Sequence, residues 1–127
     1  MNRKNIGSGS SFEEEVGYSR AVVAGNMVFL SGCTGFDYQT GEISDDVAEQ
    51  AHQTIANIKQ ALSQTGASLA DVVRVQYMLT DLTDFEVCKP VFKEHFGDIR
   101  PACTAYLVGL VDPRMKIEIE ATAVLPV

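Results

Sequence analysis

The sequence predicts an α+β fold: a two-layer sandwich with two helices on one face of a single sheet. Three observations carry this. Near the C-terminus, Ile117, Ile119 and Ala121 alternate with Glu118, Glu120 and Thr122, the period of a strand with one buried face. Between Ser44 and Gly66 the period changes, and Ala51, Ile55, Ile58 and Leu62 form the stripe of an amphipathic helix. The apolar segments as a whole follow the order β-β-α-β-α-β-β, with no repeat or linker to divide the chain, so residues 1–127 read as a single domain.

Taken in order, "SGS" near the N-terminus reads as a loop or frayed lead-in, and "SRAVVAGNMVFLSG" as two strands joined at the turn-prone Gly25–Asn26. "YQTGEIS" is a further loop. The first helix is expected to be capped by Ser44 or Asp45 and stopped near Gly66. "DVVRVQYML" follows as a strand with Val73, Val75, Tyr77 and Leu79 on one face. In "TDFEVCKPVFKEHFG", Thr83 and Glu86 have capping-box spacing, and Pro90 points to a helix start near Glu86 or Val87. "ACTAYLVGL" and "KIEIEATAVL" close the sheet. Several strands are apolar on both faces, so the face away from the helices is expected to be covered by self-association.

The bulk numbers exclude several function classes. The 127 residues carry a net charge of −7, which repels a phosphate backbone; the cluster Lys89, Lys93, Arg100 is the only basic counter-signal. No apolar run approaches the ~20 residues of a membrane span, and "MNRKNIGSGSSF" lacks the apolar core of a signal peptide. Three widely spaced cysteines, Cys33, Cys88 and Cys103, suit a reducing compartment, so the cytoplasm is the expected location. Without a CxxC pair, and with His52 and His95 far apart in the chain, no dedicated zinc site is expected.

No catalytic signature such as GxSxG, HExxH or a phosphate loop is present. The chemistry must therefore come from a looser set. Glu118 and Glu120 would project to one sheet face about 7 Å apart; sheltered from water, such a carboxylate can move protons, and in the open it is only surface charge. Cys103 beside Arg100 could be a nucleophile or an inert strand residue, and Cys33, in a strand-end loop, is expected to be the more accessible thiol. Tyr18 can donate a hydrogen bond from a loop. Arg20 and Arg114 are either anion binders or plain surface charge.

With "GYSRAV", "NMVFLSG", "TGEI", "AEQAHQTIANIKQAL", "DVVRVQYMLTDLTDF" and "PACTAYLVGLVDPRMKIEIEA" assembled, the chain resembles the Rid family of reactive intermediate deaminases over nearly its whole length. This family is also called YjgF or endoribonuclease L-PSP. The resemblance implies a chorismate-mutase-like fold with an about six-stranded mixed sheet, and a homotrimer whose sites lie between subunits. It implies hydrolysis of small 2-imino or 2-enamino acids, metabolites of low molecular mass, without metal or cofactor. Tyr18, Ser31 and Glu118 match family site positions, with Glu118 the water-positioning carboxylate. The family's carboxylate-gripping arginine falls on Cys103, and its helix asparagine falls on Lys89. Arg100 is the replacement clamp considered first, although an odd offset from Cys103 on a strand points it to the opposite face.

The resulting expectation is a divergent imine or enamine hydrolase using Glu118, with Tyr18, Ser31, Cys103, Lys89 and Arg100 around the substrate. Ordinary 2-imino acid deaminase activity is doubtful on this basis, because Cys103 stands in place of the arginine. The alternative is a non-enzymatic trimer that binds small molecules or protects other proteins through its thiols. Neither reading involves nucleic acid or a membrane.

Overall fold

The computed structural model describes residues 2–127. Its elements are β1 (Arg3–Ile6), α1 (Ser11–Val16), β2 (Ala21–Ala24), β3 (Met27–Thr34), α2 (Val47–Ser63), β4 (Val72–Leu79), α3 (Leu82–Phe96), β5 (Ala102–Leu107) and β6 (Ile117–Val124). The strands form one sheet in the order β1-β2-β3-β6-β4-β5. All neighbours are antiparallel except β4 and β5, which are parallel and joined by α3 as a crossover.

The stripe on α2 lands as its spacing requires: Ala51, Ile55, Ile58 and Leu62 are all fully buried, packed across β3 and β6. From the sheet they meet Val28, Leu30, Val75, Leu79, Ile117 and Ile119. α3 lies beside α2, and its Phe92 stacks on Tyr77 of β4 with ring centroids 3.9 Å apart. Gly25 adopts φ +62° in the two-residue turn between β2 and β3, which places the hairpin where the sequence predicts it.

Several boundaries differ from expectation. The lead-in contains β1, which adds a sixth strand beside β2, and the short helix α1, so there are three helices rather than two. The caps are Asp46 for α2, accepting from the Glu49 N–H, and Asp81 for α3, accepting from the Thr83 N–H. Neither Ser44, Asp45 nor Thr83 serves. α3 begins at Leu82, so Pro90 sits inside it; Pro90 and Glu86 are both exposed, and solvent can satisfy the carbonyl that the missing N–H leaves free. A bulge between Val72 and Arg74 turns Val73 outward while Val72, Val75, Tyr77 and Leu79 face the core.

The face away from the helices is mixed rather than uniformly apolar. Phe29 and Tyr106 stand exposed on it, with Arg74 and Glu120 exposed beside them. All six residues of the edge strand β5 are exposed, and Leu107, Val108 and Val111 continue as an apolar margin.

Candidate functional site

The site begins with an irregularity in β3. Leu30 pairs with Ala121 and Cys33 with Ile119, so Ser31 and Gly32 form a bulge opposite Glu120. The extra residue inverts the alternation beyond it. Cys33 therefore turns into the core with no exposed surface, and the accessible thiol expected at this position is not found. Ser31 donates its hydroxyl to the Ser19 carbonyl at 2.7 Å, which ties the bulge to the segment carrying Tyr18 and Arg20.

Glu118, on β6 opposite Thr34, lies across this bulge and is half-buried. Its carboxylate passes over Gly32 so closely that a Cβ there would stand 1.8 Å from Oε2. Burial raises the Glu118 pKa above the ordinary carboxylate value; the Arg20 charge opposes the rise and Glu120 adds to it.

Arg20 is the least expected member. It is 2% exposed, not a surface charge. Its Nη1 donates to the Gly32 carbonyl at 2.6 Å, Nη2 to the Tyr18 hydroxyl at 3.3 Å, and Nε to Glu13 Oε2 at 3.4 Å. Burial opposes its charge, but Cys33, Tyr38 and Tyr18 more than compensate, so its pKa is raised. Glu13 is itself buried in α1 and is held by the backbone N–H and hydroxyl of Ser8. The short N-terminal helix α1 is thus what fixes the cation.

Tyr18, Arg20, Ser31, Gly32, Thr34 and Glu118 converge on one pocket of about 260 Å3. Phe12, Val111 and Met115 supply apolar walls. Among the described residues the buried Thr34 hydroxyl has no hydrogen-bond partner, and it lines this same pocket. Among the described residues no hydrogen bond engages the Glu118 carboxylate. The pocket therefore holds a half-buried carboxylate, a buried cation and an unpaired hydroxyl, a set suited to a small polar ligand.

Cys103 and Arg100 line a different concavity of about 550 Å3, with Tyr77, Phe92, Lys93 and Phe96. Among the described residues none lines both. Arg100 lies outside β5 at φ +54°, so strand alternation does not govern it and it reaches the Cys103 side. Cys103 is exposed, and partial burial still raises its thiol pKa. Lys89 lies in neither concavity; it is exposed on α3 and pairs with Glu86 at 2.8 Å. Arg114 is exposed, bound to Asp112 at 2.8 Å.

A family model described as Endoribonuclease L-PSP matches residues 9–125. A RutC family protein of Pyrococcus abyssi is 43% identical over 107 residues, covering 84% of each chain. The 2-iminobutanoate/2-iminopropanoate deaminase of Homo sapiens is 34% identical over 108 residues, covering 84% of this chain and 79% of that protein. Among solved structures, a Mycobacterium tuberculosis member of the YjgF/YER057c/UK114 family is 40% identical with a TM-score of 0.89, covering 98% of this chain and 100% of that one.

Proposed function

Because the chain belongs to the Endoribonuclease L-PSP family, whose relatives include 2-iminobutanoate/2-iminopropanoate deaminases, we propose that it hydrolyses small reactive imines or enamines in the Glu118 pocket. The observation that carries this is a half-buried Glu118 that lines the pocket beside Gly32 with, among the described residues, no hydrogen bond to its carboxylate; burial raises its pKa. Such a group can hold a water and take its proton as the oxygen attacks the C=N carbon. The C–O bond forms as the C=N π pair moves to nitrogen, which takes the proton back from the Glu118 carboxyl. The resulting carbinolamine gives its hydroxyl proton, through the same carboxylate, to nitrogen as the C–N bond breaks, leaving ammonia and a carbonyl product. Tyr18 and the unpaired Thr34 hydroxyl supply hydrogen bonds to the substrate.

Within one chain Arg20, not Arg100 or Arg114, is the arginine that lines this pocket, and in this reading it stands in for the arginine missing at Cys103. Its charge suits a substrate carboxylate at the pocket wall, which keeps 2-imino acids within the substrate class. We also propose the family's homotrimer, in which the Cys103 concavity of one subunit closes over the Glu118 pocket of the next. Two supports for this are the fully exposed β5 and the two concavities that share no lining residue.

The thiol-based alternative has little support. Within the chain, burial raises the pKa of Cys33, of Cys103 and of Cys88, the last to about 11, which disfavours the thiolate at each. A ribonuclease reading meets the net charge of −7.

The test is ammonia release from 2-iminobutanoate or 2-aminoacrylate generated in situ. The protein should accelerate release, and Glu118→Gln should lower the catalysed rate by on the order of 100-fold or more. A rate equal to that of solvent, with either compound, would leave only the binding-protein reading.

A further inference from the structure

Away from the Glu118 pocket, on the helix-covered side of the sheet, the fold joins two histidines that the sequence keeps far apart. His52 on α2 and His95 in the last turn of α3 approach with Nδ1 to Nε2 at 3.1 Å, their rings edge to face. Glu94 folds beside them, its Oε2 3.5 Å from the same His95 Nε2. One ligand atom from each of the three lies within 4.8 Å of the others.

We infer that His52, Glu94 and His95 form a site for a borderline divalent cation, Zn2+ by preference, that clips α2 to α3. The donor set is two imidazoles and one carboxylate, with a fourth position open to solvent, the composition that zinc accepts. Tetrahedral Zn–N and Zn–O bonds of about 2.0–2.1 Å place neighbouring ligand atoms about 3.3 Å apart. The two separations recorded here, 3.1 and 3.5 Å, bracket that value. The histidines come from different helices, so one ion bound between them cross-links the packed pair. Glu94 adjoins His95 in sequence and is well exposed, so it is the weakest of the three ligands.

One neighbour opposes the cation. Lys59 Nζ lies 3.4 Å from Nδ1 of His95. An ammonium only donates, so this contact puts the His95 proton on Nε2, where the ion needs a lone pair. Binding then requires the proton to pass to Nδ1 and Lys59 to swing away. A metal-bound imidazole normally donates its other N–H to an oxygen acceptor, which the amide of a glutamine at position 59 could provide. The site thus carries a signature of its own: removing Lys59 should strengthen it.

The experiment titrates the whole chain with ZnCl2 by calorimetry, and with Co2+ by visible absorption, at neutral pH. The expected result is one equivalent bound per chain, with tetrahedral Co2+ bands and a zinc-dependent rise in thermal midpoint. His52→Ala and His95→Ala should abolish all three, Glu94→Gln should weaken binding less, and Lys59→Gln should tighten it by about tenfold. Three results would overturn the assignment: no saturable binding, binding unchanged in the two histidine variants, or binding lost with Cys103→Ser, which would place the ion on the exposed thiol. Should one histidine variant misfold, Lys59→Gln still decides the matter, because weaker or equal binding there contradicts the geometry.

Discussion

The carboxylate of Glu118 occupies the space that a side chain at Gly32 would fill, since a Cβ at that position would meet Oε2 at 1.8 Å and Cδ at 2.7 Å. Gly32 keeps an ordinary φ, so its lack of a side chain here is a matter of room, not of backbone conformation. Gly32→Ala should expel the far end of a flexible side chain at little cost in stability, yet lower kcat/KM by on the order of 100-fold through misplacement of the base. Gly35 offers the contrast: its Cβ would meet Cα and Cβ of Gln50 at 2.8 and 2.6 Å, atoms that cannot swing away. Gly35→Ala should cost about 1–3 kcal/mol by overpacking. Denaturant titration of both variants, beside their ammonia-release rates, separates the two effects.

Burial of Glu118 implies a cost in stability that Glu118→Gln should relieve. Its folded-state pKa lies above the ordinary 4.5, so between those two values the folded chain holds more protons than the unfolded one. Stability contributed by the protonated group is complete below 4.5 and is lost as pH rises through the folded-state value. The glutamine variant should therefore match the parent in acid, exceed it increasingly above pH 4.5, and hold a constant advantage once Glu118 is ionised. Thermal midpoints measured across this range check the sign; a variant less stable than the parent at pH 7 would contradict it.

Arg20→Lys should separate substrate binding from turnover. Lysine keeps the charge but loses the planar fork that reaches the Gly32 carbonyl, Tyr18 and Glu13 together. KM for an acid-bearing imine should rise by about tenfold with little change in kcat, while an uncharged imine should show no such shift. Arg20→Met leaves Glu13 as a buried, unpaired carboxylate and should cost about 3–5 kcal/mol in unfolding experiments.

Gln50 supports the site from below. It is fully buried, donates to the carbonyls of Ser44 and Arg114 at 2.7 and 2.9 Å, and accepts from the Lys116 N–H at 2.9 Å. These bonds hold the segment that enters β6 two residues before Glu118. Gln50→Ala should destabilise the protein by about 3 kcal/mol, because buried backbone groups lose their partners. Chemical denaturation measures it.

Legibility in the sequence depended on length and period. The stripe on α2, the hairpin at Gly25 and the alternation in β6 were readable because each has several residues in phase with its element. β1 and α1 were not, since four and six residues are too short to show a period. The position of Glu118 on the face away from the helices followed from alternation alone. The sequence reads Cys33 as part of a strand-end loop, whereas β3 runs on to Thr34 and its bulge turns the thiol inward; nothing in "SGCTG" announces either. The burial of Arg20 is equally silent in the sequence, because its partners, Glu13 and the Gly32 carbonyl, come from the short helix α1 and from that same bulge. Arg100 and Cys103 line one concavity, but their separation from the Glu118 pocket within one chain depends on tertiary structure, which no local pattern encodes.

Whether Glu118 acts as the base of an imine hydrolase is read from the pH profile of the initial hydrolysis rate. With Glu118 as the base, the rate climbs with pH through an apparent pKa above 4.5, while the Glu118→Gln profile stays near that of solvent throughout. Profiles of the same shape and height for parent and variant would contradict it.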